Sequence, residues 1–197
     1  MKSNKWLKRQ SKDLYVKKAK KIGFLSRAAY KLIEIDDKYK LLSKSNRILE
    51  LGAAPGSWTQ IIVNRNKHAQ IDAFDTIEMK FKNEKINFYK IDFLQFNFLS
   101  LKNKYDLILS DLAPNTTGHK KTDHLKLSSL IEHLIYLLDV LAKKNSNMII
   151  KIFKGSEEKF IVSLLNKNYI HVEYFKPKSS RKDSSEIYIV ARDYFDN

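Results

Sequence analysis

Four acidic residues stand where short apolar runs give out: Glu50 in RILEL, Asp75 closing QIDAFD, Asp92 closing INFYKID and Asp111 closing YDLILSD. A carboxylate at the end of a buried strand can accept hydrogen bonds from the hydroxyls, amines or ammonium of a ligand, but it serves equally to cap a helix or close a turn. After the first of these runs comes GAAPG, Gly52 to Gly56, which holds two of the chain's five glycines together with Pro55. Glycine reaches positive φ and carries no Cβ to keep a ligand away from backbone. The spacing is not G-x-G-x-x-G and no GK[ST] follows, so both pyrophosphate-binding signatures are missing. A nucleoside without a long anionic chain fits the pattern better. Asp75 would take ribose hydroxyls, Asp92 an exocyclic adenine amine and Glu50 a ligand ammonium. An adenosine whose attached positive charges want carboxylates nearby describes S-adenosylmethionine. Trp58, beside the turn, is read as packing or as a cofactor contact.

The elements that would position these residues follow from periodicity. RILEL, QIDAFD, INFYKID, YDLILSD, NMIIKIF, IHVEYFK and EIYIVARDY read as strands. Ala29, Leu32, Ile33, Ile35 and Tyr39 recur at helical spacing behind Ser26, a candidate N-cap. SWTQIIVNR and SEEKFIVSLLNK read as further helices, and Asp123 to Ala142 repeats Leu and Ile at helical spacing throughout. Strands alternating with helices predict a mostly parallel twisted sheet of about seven strands with helices on both faces. Only PKSSRKDSS separates the last two strands, too little for a parallel crossover, so one of that pair is expected to be antiparallel. The predicted fold is α/β and Rossmann-like: a basic amino-terminal arm, residues 1–25, followed by a single domain, residues 26–197.

The formal net charge of the 197 residues is +15, and eleven Lys or Arg against one acid, Asp13, fall between Met1 and Lys31. Such clustered cations repel unless a polyanion neutralises them, and nucleic acid is the usual one; a solvated lysine-rich tail is the alternative. Apolar residues interleaved with the charges, among them Trp6, Leu14 and Tyr15, favour the first. Candidate RNA contacts are Lys5, Lys8, Arg9, Lys17, Lys18, Lys20, Lys21 and Arg27 in the arm. Lys176, Lys178 and Arg181 join them from the loop before the last strand. No apolar run is long enough to cross a bilayer, the first residues lack a signal-peptide core, and there is no cysteine. The expectation is a cytoplasmic, monomeric protein. His119, His124 and His133 have no metal-ligand spacing with acids, so no catalytic metal is expected.

Five ordered blocks carry a resemblance over almost the whole chain: KWLKRQSKDLYVKKAKKIGFLSRAAYKLIEI, LELGAAPGSW, SDLAPNTTG, IKIFKG and KPKSSRKDSSEIYIVA. With them the chain resembles the FtsJ-like ribosomal RNA large subunit methyltransferases of E type. The resemblance implies methyl transfer from S-adenosylmethionine to a ribose 2′-oxygen on a Rossmann-like methyltransferase sheet with an antiparallel last strand. It implies a catalytic tetrad at Lys31, Asp111, Lys151 and Glu186, and cofactor contacts at Gly52, Pro55, Gly56, Trp58, Asp75, Asp92 and Asp111. The implied substrate is a uridine in the A loop of large-subunit ribosomal RNA, presented in the assembled subunit. Ser57 stands where the family often has a second glycine, and LAKKNSNM replaces a glycine-rich turn.

A ribose hydroxyl is a weak nucleophile, so the chemistry needs it aligned with the methyl donor and its proton accepted or offset. Lys151, flanked by apolar residues, would meet the 2′-oxygen as base or as stabiliser of a developing alkoxide, with Lys31 as second cation and Asp111 and Glu186 orienting the ammonium groups. Rival readings are a methyltransferase of tRNA or mRNA cap, an inactive ribosome-assembly factor on the same scaffold, and a dinucleotide-dependent oxidoreductase, which the glycine spacing disfavours.

Overall fold

All seven apolar runs become strands in a computed structural model that describes residues 11–101, 105–114, 117–155 and 157–195. They are β1 (Arg47–Leu51), β2 (Gln70–Asp75), β3 (Ile86–Lys90), β4 (Tyr105–Ser110), β5 (Ala142–Phe153), β6 (Tyr169–Phe175) and β7 (Glu186–Tyr194). The helices are α1 (Leu14–Ile22), α2 (Ala28–Tyr39), α3 (Ser57–Arg65), α4 (Lys120–Tyr136), α5 (Leu138–Leu141) and α6 (Glu158–Leu165). The sheet runs β3-β2-β1-β4-β5-β7-β6. The first five strands pair in parallel, while β7 is antiparallel to both β5 and β6. The short connection between β6 and β7 makes them a hairpin, as the spacing required.

Alternation along the strands sorts side chains onto two cores. On one face Ile149, Tyr188 and Val190 meet Leu32 and Ile35 of α2 and Ile61 and Ile62 of α3. On the other, Met148, Ile150, Ile152 and Ile189 meet Leu127, Ile131 and Leu134 of α4 and Ile161 of α6. Trp58 clamps the first layer: its indole N–H donates to the Ala28 carbonyl at 2.9 Å, and its ring lies 5.8 Å from that of Tyr188.

Three details differ from expectation. The helix expected over 123–142 breaks at Leu137, whose φ of −87° and ψ of 0° tighten the turn and divide α4 from α5. β5 starts at Ala142, five residues before NMIIKIF, because the polar segment 142–146 continues beside β4 through a register shift, with Asn145 at a φ of 64°. α2 starts at Ala28, and Ser26 still serves its first turn by accepting the Ala28 N–H at 3.1 Å.

Candidate active site

β5, β7 and α2 bring together residues far apart in the chain. Lys151 and Tyr188 are directly opposite in the β5–β7 ladder, and Glu186 lies two residues along β7 on the same face. α2 covers that face with Leu32 and Ile35 and sets Lys31 against it. Lys31 Nζ reaches Glu186 Oε2 at 2.6 Å. Lys151 Nζ donates to the carbonyl oxygen of Asp111 at 2.9 Å and lies 3.1 Å from Asp111 Oδ1. Tyr188 touches both pairs: its hydroxyl donates to Asp111 Oδ1 at 2.8 Å, and Lys31 Nζ stands 5.8 Å from its ring centroid. Ser180 Oγ donates to the remaining oxygen of Glu186 at 3.0 Å. The four residues of the expected tetrad therefore meet, joined by Tyr188 and Ser180.

The electrostatics follow from the pairing. Burial alone would raise the Asp111 carboxyl, but the Lys151 and Lys31 ammonium groups and the Tyr188 hydroxyl together hold it below the usual carboxylate range. Burial, with Asp111 and Glu186 adding, pushes the Tyr188 hydroxyl well above its ordinary value, so it stays a donor. Tyr188 was not among the residues expected here. Strand alternation two positions after Glu186 was the signal that could have found it.

Beside this cluster, beyond the carboxyl ends of β1, β2 and β4, lies a cleft of about 450 Å³. Phe74, Ile91, Phe93 and Leu130 give it apolar walls, Asp75 and Asp92 give it carboxylates, and Gly52 contributes backbone. Leu112, the residue after Asp111, forms part of its wall, so cleft and tetrad are neighbours. Asp75 already accepts from the N–H groups of Ala54 (2.8 Å) and Ile77 (2.9 Å), and Asp92 from that of Leu94 (3.1 Å). A carboxylate oxygen has two lone pairs, so both acids brace the protein and retain capacity for a ligand. An apolar slot with a carboxylate at the end of each of two strands fits a nucleoside.

The glycine turn has a second reason besides the one expected. A Cβ on Gly52 would come within 2.9 Å of the Leu112 nitrogen, and one on Gly56 within 2.6 Å of Phe81 Cβ. Both glycines also have positive φ, 78° and 105°. Their missing side chains make room for the protein's own chain. Pro55, Gly56 and Trp58 do not line the cleft, and Trp58 is 3% exposed. Glu50 is buried beneath the turn and accepts the Thr59 hydroxyl at 2.7 Å. Burial, opposed by that hydrogen bond and reinforced by Asp111 and Asp75, pushes its carboxyl up to about 8.

The expected RNA contacts divide in two. Lys17, Lys18, Lys20 and Lys21 are exposed along α1, and Lys178 is exposed in the β6–β7 loop. Arg27, Arg181 and Lys176 bond within the protein, Lys176 while remaining exposed. Arg27 bonds to Asp13 and to the Ser179 carbonyl. Arg181 Nε lies 3.1 Å from Asp13 Oδ2, and Lys176 bonds to the carbonyls of Ser184 and Glu186. Lys5, Lys8 and Arg9 lie outside the described residues.

Residues 24–194 match the profile of the FtsJ-like methyltransferases. The chain belongs to that family. A protein of Azorhizobium caulinodans called ribosomal RNA large subunit methyltransferase E is 42% identical to this FtsJ-like chain, over 96% of it and 82% of the relative. A protein of the same name from Rickettsia bellii is 38% identical, over 96% and 88%. Among solved structures, a chain assigned as a ribosomal RNA methyltransferase of Plasmodium falciparum superposes with a TM-score of 0.77 at 30% identity, covering 88% of this chain and all of that one. Human methyltransferase-like protein 13, solved with S-adenosylhomocysteine, shares the fold at 13% identity and a TM-score of 0.59, over 85% and 80% of the two chains.

Two outcomes test this construction. Gly56→Ala should lower the unfolding free energy by roughly 1–3 kcal/mol in urea titrations, since it adds both a clash and a left-handed alanine. For Glu50 the folded carboxyl titrates near 8 and the unfolded one near its ordinary 4.5. Between those values the folded ligand-free protein holds a proton that the unfolded chain has lost, so Glu50 costs stability increasingly as pH rises. Glu50→Gln keeps an acceptor for Thr59 and removes the titration. Its gain in melting temperature over the native protein should widen from about pH 5 to pH 8; a gap that stays constant would refute the buried neutral acid.

Proposed function

We propose that this protein methylates a ribose 2′-oxygen in RNA, using S-adenosylmethionine, at a uridine in the A loop of large-subunit ribosomal RNA within the assembled subunit. The observation that carries the reading is the meeting of Lys31–Glu186 and Lys151–Asp111 at Tyr188, next to a cleft suited to a nucleoside. The name shared by the bacterial relatives supports the large subunit as the source of the RNA. A ribosomal substrate implies work in the cytoplasm, and the reading needs one copy of the chain. Among the described residues no helix is long and apolar enough to cross a membrane.

In this reading Asp75 takes the ribose hydroxyls of the cofactor, Asp92 its adenine amine, and the backbone at Gly52 lies along it. When bound, S-adenosylmethionine supplies a methyl group already activated on a sulfonium. The chain's own residues then have to bring the ribose hydroxyl into line and manage its proton. Lys151 spends two N–H donors on Asp111, and its third is left for the 2′-oxygen. Lys31, fixed by Glu186, is the second cation near developing negative charge, and Ser180 holds Glu186 in orientation. The exposed lysines of α1, with Lys178, bind the phosphates.

The deciding experiment incubates the protein with methyl-labelled S-adenosylmethionine and large subunits lacking the modification, then maps the label. The expected product is 2′-O-methyluridine in the A loop, formed about 100-fold more slowly by Lys151→Ala. Label on a base, or no label above that of the alanine variant, would defeat the assignment. Lys151→Arg separates the two roles of the lysine. Arginine keeps charge and donors but does not deprotonate, so retention of more than about a tenth of native activity identifies a stabiliser of the alkoxide.

A further inference from the structure

We propose that Asp13 is a positioning residue that ties the lysine face of α1 to the Lys31–Glu186 pair, so that RNA held by the helix and the reacting centre move as one body. The proposal rests on the methyltransferase reading above. Asp13 is the first acid in the chain, amid the eleven cations from Lys2 to Lys31, where a solvating carboxylate would be expected on the surface. Its side chain is instead 9% exposed. Oδ1 accepts from the N–H groups of Tyr15 (3.0 Å) and Val16 (3.3 Å), capping α1. Oδ2 accepts from Arg27 and from Arg181 Nε, 168 positions away.

From Arg27 the connection reaches the tetrad through Ser179 and Ser180. Arg27 also donates to the Ser179 carbonyl. The next residue, Ser180, donates to Glu186 Oε1, whose other oxygen holds Lys31. Behind the loop, Glu34 of α2 accepts from the backbone N–H groups of Lys178 (2.5 Å) and Ser179 (2.9 Å). Residues 178–181 are therefore held from α2 on one side and through Asp13 on the other. One carboxylate bonds two guanidinium groups here, and Arg27 Nε and Arg181 Nη2 are buried with no hydrogen-bond partner among the described residues. Removing the Asp13 charge leaves two partly buried like charges facing each other, a state that relaxes by moving the loop. Ser180 moves with the loop, and Glu186 loses its orientation toward Lys31.

The test must separate this bridge from the helix cap. Serine and asparagine both cap helices well. Asp13→Asn keeps acceptor and length without charge, and Asp13→Ser is too short to span the guanidinium groups. With large subunits as substrate, kcat should fall in the order native, Asn, Ser, reaching about tenfold for Asp13→Ser, while KM for S-adenosylmethionine stays within about twofold. A kcat for Asp13→Ser within about twofold of native, or a loss cured entirely by more RNA, overturns the proposal. Amide hydrogen exchange gives a readout independent of the reaction: residues 178–186 should exchange faster in Asp13→Ser, with β1 and β4 unchanged. Equal exchange in that segment overturns the coupling even if the methyl group lands elsewhere. A native protein that places no methyl on a 2′-oxygen defeats the functional reading, whereas a fully active Asp13→Ser defeats only this one.

Discussion

Two ammonium groups and two carboxylates withdrawn from water must neutralise one another, and that requirement governs how the strands, the helix and the loop are placed. Lys151 is 5% exposed and Glu186 9%. Stranding one member of such a pair in the interior costs about 3–5 kcal/mol, so each cation demands its own anion at bonding distance. The pairing in turn demands register. A slip of one residue in β5 or β7 would send Lys151 or Glu186 to the face where Ile150, Ile152 and Ile189 pack, against no partner at all. The tetrad and the hydrophobic alternation thus specify the same alignment, one through charge and the other through burial.

The strands were legible because their apolar runs are short and sharply bounded: QIDAFD and EIYIVARDY match β2 and β7 residue for residue. The antiparallel end of the sheet was legible from loop length alone. Segment 142–146 was not, since AKKNS has no strand pattern and joins β5 through the pairing of Ala142 with Tyr105 across a register shift. The break at Leu137 was hidden for a similar reason: helical spacing carries straight across it, and only a local change in ψ divides the helix.

At the site, residue types were easier to read than orientations. The resemblance named the four charged residues and the geometry brings them together, but what a glycine makes room for cannot be seen in its letter. Gly52 lines the cleft as a ligand surface would and also admits Leu112, whereas Gly56 lies outside the cleft and admits Phe81. Arg27 and Arg181, expected on RNA, are engaged by Asp13, and a cation's partner 168 residues away leaves no local signal. The acids at the strand ends join both readings: Asp75 closes the turn through Ala54 and still faces the cleft.

The position of β7 also bears on how the chain reaches this state. The seventh strand is inserted between the fifth and the sixth, so during synthesis β5 and β6 have no direct ladder and must wait with a strand-wide gap. Glu186 and Tyr188 arrive with the strand that fills it, after Lys31, Asp111 and Lys151 have been synthesised. Until then Lys151 has no Tyr188 opposite it and Lys31 lacks its Glu186 partner. A nascent chain stalled before Glu186 would present open sheet edges and an unassembled centre, making that interval the one most exposed to aggregation and chaperone capture.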